Sequence, residues 1–335
     1  MKNFIAKISL VLLAGALSFF SCKKDTQVVD PNITPSPSTT FELLDFYSNN
    51  ESVLEQIFTV NSDNYMLVQG NKGITVEMPS NAFAKLDGTP VTGNVTIELI
   101  EIVDRQSMVL LNKSTNGRMA NGDISTLISG GQMKLNATQN GNQLKFRTGK
   151  SFTAKVPTNL TGGIDPDMNK FAGKVNTENN GVVWEGEDST AIRVVQDSIN
   201  GGGTTGGFSY SWTDSSFGWT NVDKFYSDPR AKTLVQVQLP TGYDNMNTSV
   251  YITYDGEPTA LANFDMYDAT TKLFSEHYGL IPIELNIHFV IVAEVNGQLY
   301  SAIVPKTVVN NHLEVIPALT ATTKAQLTAA VIGLP

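Results

Sequence analysis

One cysteine, Cys22, stands in 335 residues, so the chain cannot close a disulfide on itself. Histidine is almost as scarce: His277, His288 and His312 are the whole supply, and all three read as surface or turn residues, with His288 on the polar face of its strand. No G-x-S-x-G elbow and no H-E-x-x-H pair occurs, and no thiol beyond Cys22 offers a nucleophile. Charge is thin as well. Asp, Glu, Lys and Arg make up 16% of the residues, below the usual quarter. What charge there is leans acidic, −9 overall, which repels a phosphate backbone and excludes nucleic acid as a partner. The longest apolar run, Ile8–Phe20, is shorter than the roughly 20 residues that a bilayer-spanning helix needs. These scarcities argue against an enzyme, against a nucleic-acid binder and against a cofactor.

What is present is a supply of strands. The chain is 41% hydrophobic, enough to bury real cores, and its length suits two domains. Ile74, Val76 and Met78 alternate with Thr75 and Glu77, and Val95, Ile97 and Leu99 with Thr96 and Glu98; a period of two marks half-buried strands. Asn140-Gly141 joins two such runs, as does Asn296-Gly297, and this dipeptide suits a hairpin turn needing positive φ at both central residues. Phe152, Ala154 and Val156 make another strand; Val235, Val237 and Leu239 open a second series. That series ends in a long strand whose inward set is Ile283, Leu285, Ile287, Phe289, Ile291 and Ala293. The expected class is mainly β, with two β-sandwich-like domains at 63–162 and 163–320. The boundary falls at Gly162-Gly163, the glycine-rich 200–207 stretch is a loop of the second domain, and 321–335 is a C-terminal tail. Helical spacing shows only within 41–62, where Val53, Leu54, Ile57 and Phe58 form an apolar stripe and Asn50 or Ser52 is a candidate cap.

The N-terminus carries an export pattern: Lys2 and Lys7, the apolar run, then small Ser21 before Cys22. The stretch resembles a bacterial lipoprotein signal, and "SCKKD" is similar to those of Bacteroidetes-type Gram-negative bacteria. Phe19 departs from the general pattern, which favours Leu there. The resemblance implies a signal peptide over 1–21 and acylation, palmitate included, at Cys22. The molecule is then expected at the outer membrane, lipid-anchored and facing the cell surface rather than the periplasm. Residues 22–40 form a flexible linker, since Pro31, Pro35 and Pro37 among Ser and Thr allow neither a helix nor an apolar face. Extended at about 3.1 Å per residue, it reaches about 55 Å.

At 70–102, Gly73, Ile74, Val76, Pro79, Ala82, Phe83, Gly88, Val91, Gly93 and Val95 resemble the β-sandwich domain of zona-occludens and uncoordinated-five proteins. The same pattern occurs in surface lipoproteins of that bacterial group, where it continues as here through "MVLLNKSTNG" and "LISGGQMKLNA". The likeness is good over 65–160 and loose over 165–315. It implies a fold and a location and supplies no catalytic residue.

Three constellations remain as candidate sites. Tyr210, Trp212 and Trp219 belong to the most aromatic segment, which either forms an exposed ligand platform or fills the second core; burial of large rings favours the core. Asp165, Asp167 and Asn169 alternate as in the first half of a calcium loop, but Lys170 and Asn176 stand where Gly and Glu are required. An Asx-capped turn is the better reading. Ser189 and Ser198 follow aspartates in a short pattern that resembles the O-glycan acceptor of the same bacterial group. The expected function is a non-catalytic envelope lipoprotein, a surface binding or adhesion module for an unidentified glycan or protein. The alternatives are a scaffold subunit of an outer-membrane assembly and, less favoured, an envelope hydrolase.

Overall fold

A computed structural model describes residues 40–187, 192–197, 206–277 and 279–335. Cys22, the leader and tether up to residue 39, Ser189 and Ser198 lie outside the described residues. The protein is mainly β, with three short α-helices among the described residues.

Strands Gln56–Asn61, Asn94–Ile102, Ile124–Gln139, Gly218–Phe225, Asn169–Val175, Val182–Gly186 and Asn116–Arg118 lie side by side in that order. Opposite them stands a second sheet of Arg193–Gln196, Phe208–Asp214, Phe152–Pro157, Thr75–Met78 and Met66–Gln69. The alternating residues read from sequence fill the space between: Ile74, Val76 and Met78 meet Val95, Ile97, Leu99, Met133 and Leu135 in one buried cluster. The Asn140-Gly141 turn has φ of 53° and 76°, the left-handed pair that a tight hairpin requires and that these two residues adopt at least cost. Glu101 holds the Gly70–Gly73 loop, accepting hydrogen bonds from the backbone of Lys72 at 2.9 Å and Ile74 at 2.8 Å.

The first sandwich extends well past the expected boundary. Gly162, with φ of 100°, merely closes the 3-10 turn Thr158–Thr161. The chain then returns, and Asn169–Val175, Val182–Gly186, Phe208–Asp214 and Gly218–Phe225 all pair into the first sandwich. The division falls after Phe225, and Arg193–Gln196 and Phe208–Asp214, the described strands on either side of residues 200–207, belong to the first domain. Gly173 is required there: a Cβ would lie 2.7 Å from that of Trp219 and 2.9 Å from the Trp184 ring.

The second sandwich packs Glu257–Asn263, Thr248–Tyr254, Asn286–Val295, Gln298–Thr307 and Thr320–Ala321 against Met266–Asp268, Leu273–Ser275, Val235–Gln238 and His312–Val315. Ile287, Phe289 and Ile291 point into its core with Val235, Val237 and Phe274, while Ile283, expected inside, is only half-buried. His312 is buried against Phe289 with ring centroids 5.7 Å apart, not a surface or turn residue.

A third apolar core joins the two sandwiches. The outer face of the first gives Ile100, Ile102, Leu127, Trp184 and Trp219; the outer face of the second gives Tyr251, Leu261, Val290 and Val292. Both central sheets are therefore covered on both faces, and Thr248–Tyr254 is buried at every position. The helices wedge into the same space. Helix α1, Leu44–Leu54, buries Tyr47 and Asn50, and the Asn50 amide donates to the Leu110 carbonyl at 3.0 Å. The expected stripe is thus displaced: Asn50 is inside the helix rather than capping it, Val53 is 72% exposed, and Ile57 and Phe58 sit in a strand. Helix α2, Arg105–Leu111, is capped by the Asp104 carboxylate, which accepts from the Ser107 amide at 2.8 Å. The expected tail contains helix α3, Lys324–Ile332, whose Thr323 and Gln326 form a reciprocal capping box and whose Leu327 and Val331 enter the joint core. At about 1.5–3 kcal/mol for each large side chain fully buried, this core fixes the sandwiches to one another.

Candidate functional site

At one end of the joint core lies a cleft of about 830 Å³, lined by both sandwiches. Its floor is the segment Asn112–Asn116, buried throughout, which docks along the second sandwich like an added strand. Thr115 donates its amide to the Leu261 carbonyl at 2.8 Å. Asn116 donates to the Asn263 carbonyl at 3.0 Å and accepts from its amide at 2.7 Å. Tyr251 donates its hydroxyl to Asn112 Oδ1 at 2.6 Å. This segment is the "NKSTN" of the sequence pattern, and its role is structural.

One wall is the turn between Asn169–Val175 and Val182–Gly186, where Asn176, Glu178 and Asn179 face the cleft. Asn176 and Asn179 stiffen that turn by accepting from the amides of Glu178 and Gly181, each at 2.9 Å. The turn is held down by charge: Lys113 Nζ donates to the Asn180 carbonyl at 2.5 Å and faces Glu51 at 3.7 Å, while Lys134 reaches Glu51 at 2.7 Å. Burial pushes the Lys113 ammonium down to about 8. Burial also pushes the Glu51 carboxyl up, but the Lys134 hydrogen bond and the two lysine charges outweigh it and hold it below its ordinary range. The opposite wall is Asn245, Met246 and the stretch Asn263–Tyr267. Tyr267 is half-buried and packs on Phe274 with centroids 4.8 Å apart. Met266 is 44% exposed.

The lining mixes neutral polar side chains such as Asn112, Asn176 and Asn245 with apolar ones such as Phe41, Leu44, Val182 and Phe264. Among the described residues, charged side chains occur only at its exposed rim: Lys174 opposite Glu185 at 4.0 Å, Glu178, and Asp265 paired with His277 at 3.0 Å. Ionisable groups with stronger couplings sit elsewhere. Lys170 lies between Glu187 and Asp214 at 2.5 and 2.6 Å, and His288 meets Asp255 at 2.8 Å. Asp223 is fully buried beside Asn221, and burial raises its carboxyl well above the ordinary value despite Ser129 and the Gly130 amide. Among the described residues, no three His, Cys, Asp or Glu side chains converge to hold a metal ion, and no helix is long and apolar enough to cross a membrane.

The structure separates the candidates read from sequence. Tyr210 and Trp212 are buried in the core of the first sandwich, and Trp219 in the joint core beneath Lys113, whose Nζ lies 5.2 Å from the ring. None offers a face to solvent, so they are no platform, and they fill the first sandwich and the junction rather than the second core. Asp165 accepts from the Asp167 amide at 2.9 Å and pairs with Lys224 at 2.5 Å; Asn169 donates to the Asp167 carbonyl at 2.7 Å. This is an Asx turn with its carboxylate already engaged. The cleft itself was not legible, since its walls come from residues more than 60 positions apart; the density of Asn in 176–181 and 245–247 was its one signal. No protein family, curated protein or solved structure compared with the chain matches it.

Proposed function

We propose that this chain is a non-catalytic cell-envelope lipoprotein, tethered to the outer membrane through acyl chains on Cys22, whose fused sandwiches present the junction cleft as a binding surface. The likeness of the first sandwich to the zona-occludens and uncoordinated-five domain belongs to the same proposal. The observation that carries the binding role is the cleft: about 830 Å³, set where two domains meet, and lined by amides and hydroxyls set among apolar side chains. Clefts of roughly 300–1,000 Å³ at domain junctions are where small ligands are held. The location rests on the lysine, apolar, Ser21-Cys22 order of the N-terminus. One acyl chain binds a membrane only weakly, and the several chains of a lipoprotein cysteine anchor it stably. In cells, Cys22→Ala should abolish fatty-acid labelling and move the protein out of the membrane fraction. Unchanged labelling and fractionation of that variant would refute the anchor.

A scaffold role draws support from one strand. His312–Val315 forms the outer edge of its sheet, with Leu313 49% and Val315 56% exposed, and an uncovered edge invites pairing with another chain. A photo-crosslinker at Leu313 that captures an outer-membrane protein in cells would favour this role over the cleft.

A further inference from the structure

We propose that the junction cleft takes an uncharged oligosaccharide; this rests on the binding role above and names its ligand class. Hydrogen-bonding capacity left over in the lining points that way. Tyr267, Asn245, Asn176, Asn179 and Ser114 line the cleft, and the Tyr267 hydroxyl, the Asn245 carboxamide, the Asn176 and Asn179 Nδ2 groups and the Ser114 hydroxyl make no hydrogen bond within the described residues. Each is neutral. A carboxamide offers a donor and an acceptor on one rigid plane, which matches a pair of neighbouring sugar hydroxyls, each itself donor and acceptor.

The apolar part fits the same ligand. Tyr267, backed by Phe274, gives one wall an aromatic surface suited to the C–H face of a pyranose. Charge argues against acidic sugars and phosphates. Among the described residues no arginine lines the cleft, and the one cation there, Lys174, is 66% exposed and faces Glu185; anion sites are built from convergent cationic donors. An extended peptide is disfavoured because the strand edge that the described residues offer at the cleft, Met266–Asp268, has three residues, too short a ladder for strand addition.

The test uses the full chain in detergent micelles, applied to an array of short neutral hexose and N-acetylhexosamine oligosaccharides, their uronic-acid and sialylated counterparts, and a peptide library. Neutral oligosaccharides should be retained, with little dependence on salt, because no ion pair contributes. Calorimetric titration of the retained sugar should show about tenfold weaker binding for Tyr267→Ala, equal to about 1.4 kcal/mol. Tyr267→Phe keeps the packing on Phe274 and loses only the hydroxyl, so it should melt like the parent and still bind several-fold more weakly. Retention of acidic sugars alone, no retention of any neutral sugar, or neutral-sugar binding indifferent to both variants would overturn the proposal. A peptide retained by the parent and lost by Tyr267→Ala would overturn the sugar assignment while supporting the binding role; an array and library both left unbound would overturn the two together.

Discussion

Asp223→Asn should stabilise the protein at neutral pH, against the usual outcome for a buried substitution. Asp223 is fully buried, and its Oδ2 accepts from Asn221 Nδ2 at 2.5 Å. Burial raises its carboxyl well above 3.8. The folded state therefore holds a proton that the unfolded state releases above the ordinary carboxyl range. Stability from this group is complete below that range and falls as pH rises toward the folded value. Between the ordinary carboxyl range and the raised folded value the parent should lose up to about 1.4 kcal/mol per pH unit that the variant keeps. Asparagine is nearly the same shape, still accepts from Asn221 and carries no charge at any pH. Urea unfolding of both proteins at several values between pH 4 and 7 measures the difference, since every other carboxylate titrates alike in the two. In melting temperature it corresponds to roughly 2–4 °C per kcal/mol. Parallel curves, or a variant less stable at pH 7, would refute the reasoning.

Two further outcomes follow from the packing. Trp219→Ala should cost about 3–5 kcal/mol and lower the melting temperature of the whole molecule, because the ring lies in the core that both sandwiches share; an unchanged melt would contradict that burial. Lys113, pushed down to about 8 against 10.5 when exposed, binds a proton less readily folded than unfolded. Between pH 8 and 10.5 the parent should thus gain about 1.4 kcal/mol per pH unit relative to Lys113→Met; equal pH dependence of the two would contradict it.

The strands of both sandwiches were legible because each is a local statement. Val95, Ile97 and Leu99 announce one buried face whatever they pair with, and Asn140-Gly141 and Asn296-Gly297 have positive φ as the hairpins demand. The domain boundary was not local. Gly162-Gly163 looks the same whether it ends a domain or a turn, and only pairing of Gly218–Phe225 with Ile124–Gln139 tells which. The joint core left a trace that could have been followed. Val290 and Val292 occupy the phase of His288, so an apolar pair interrupts a polar face, which signals a strand covered on both sides. Thr323-x-x-Gln326 ahead of Leu327 was a readable capping box. Asn50 shows the opposite failure: its burial depends on a carbonyl at Leu110, sixty positions away, which no window along the sequence contains.

Whether the cleft is formed before a ligand arrives depends on the Asn112–Asn116 segment. Domains joined in one chain move against each other unless their interface is large and apolar. Here an apolar core backs the interface, and the paired hydrogen bonds of Asn116 to Asn263 close it at the cleft floor. Arg105 adds a clasp, donating to the carbonyls of Pro335 at 3.0 Å and Glu257 at 3.2 Å. A floor locked in this way spares a ligand the cost of ordering it. Asn116→Ala tests the lock, because it leaves both Asn263 backbone groups without their partner, at about 1–3 kcal/mol each where water cannot replace it. The Asn263 amide should then exchange its hydrogen at least tenfold faster, while core amides such as Ile97 keep their rates. Equal acceleration of both would mean that the segment holds the whole fold rather than the cleft, and no acceleration at either would mean that the apolar core alone sets the floor in place.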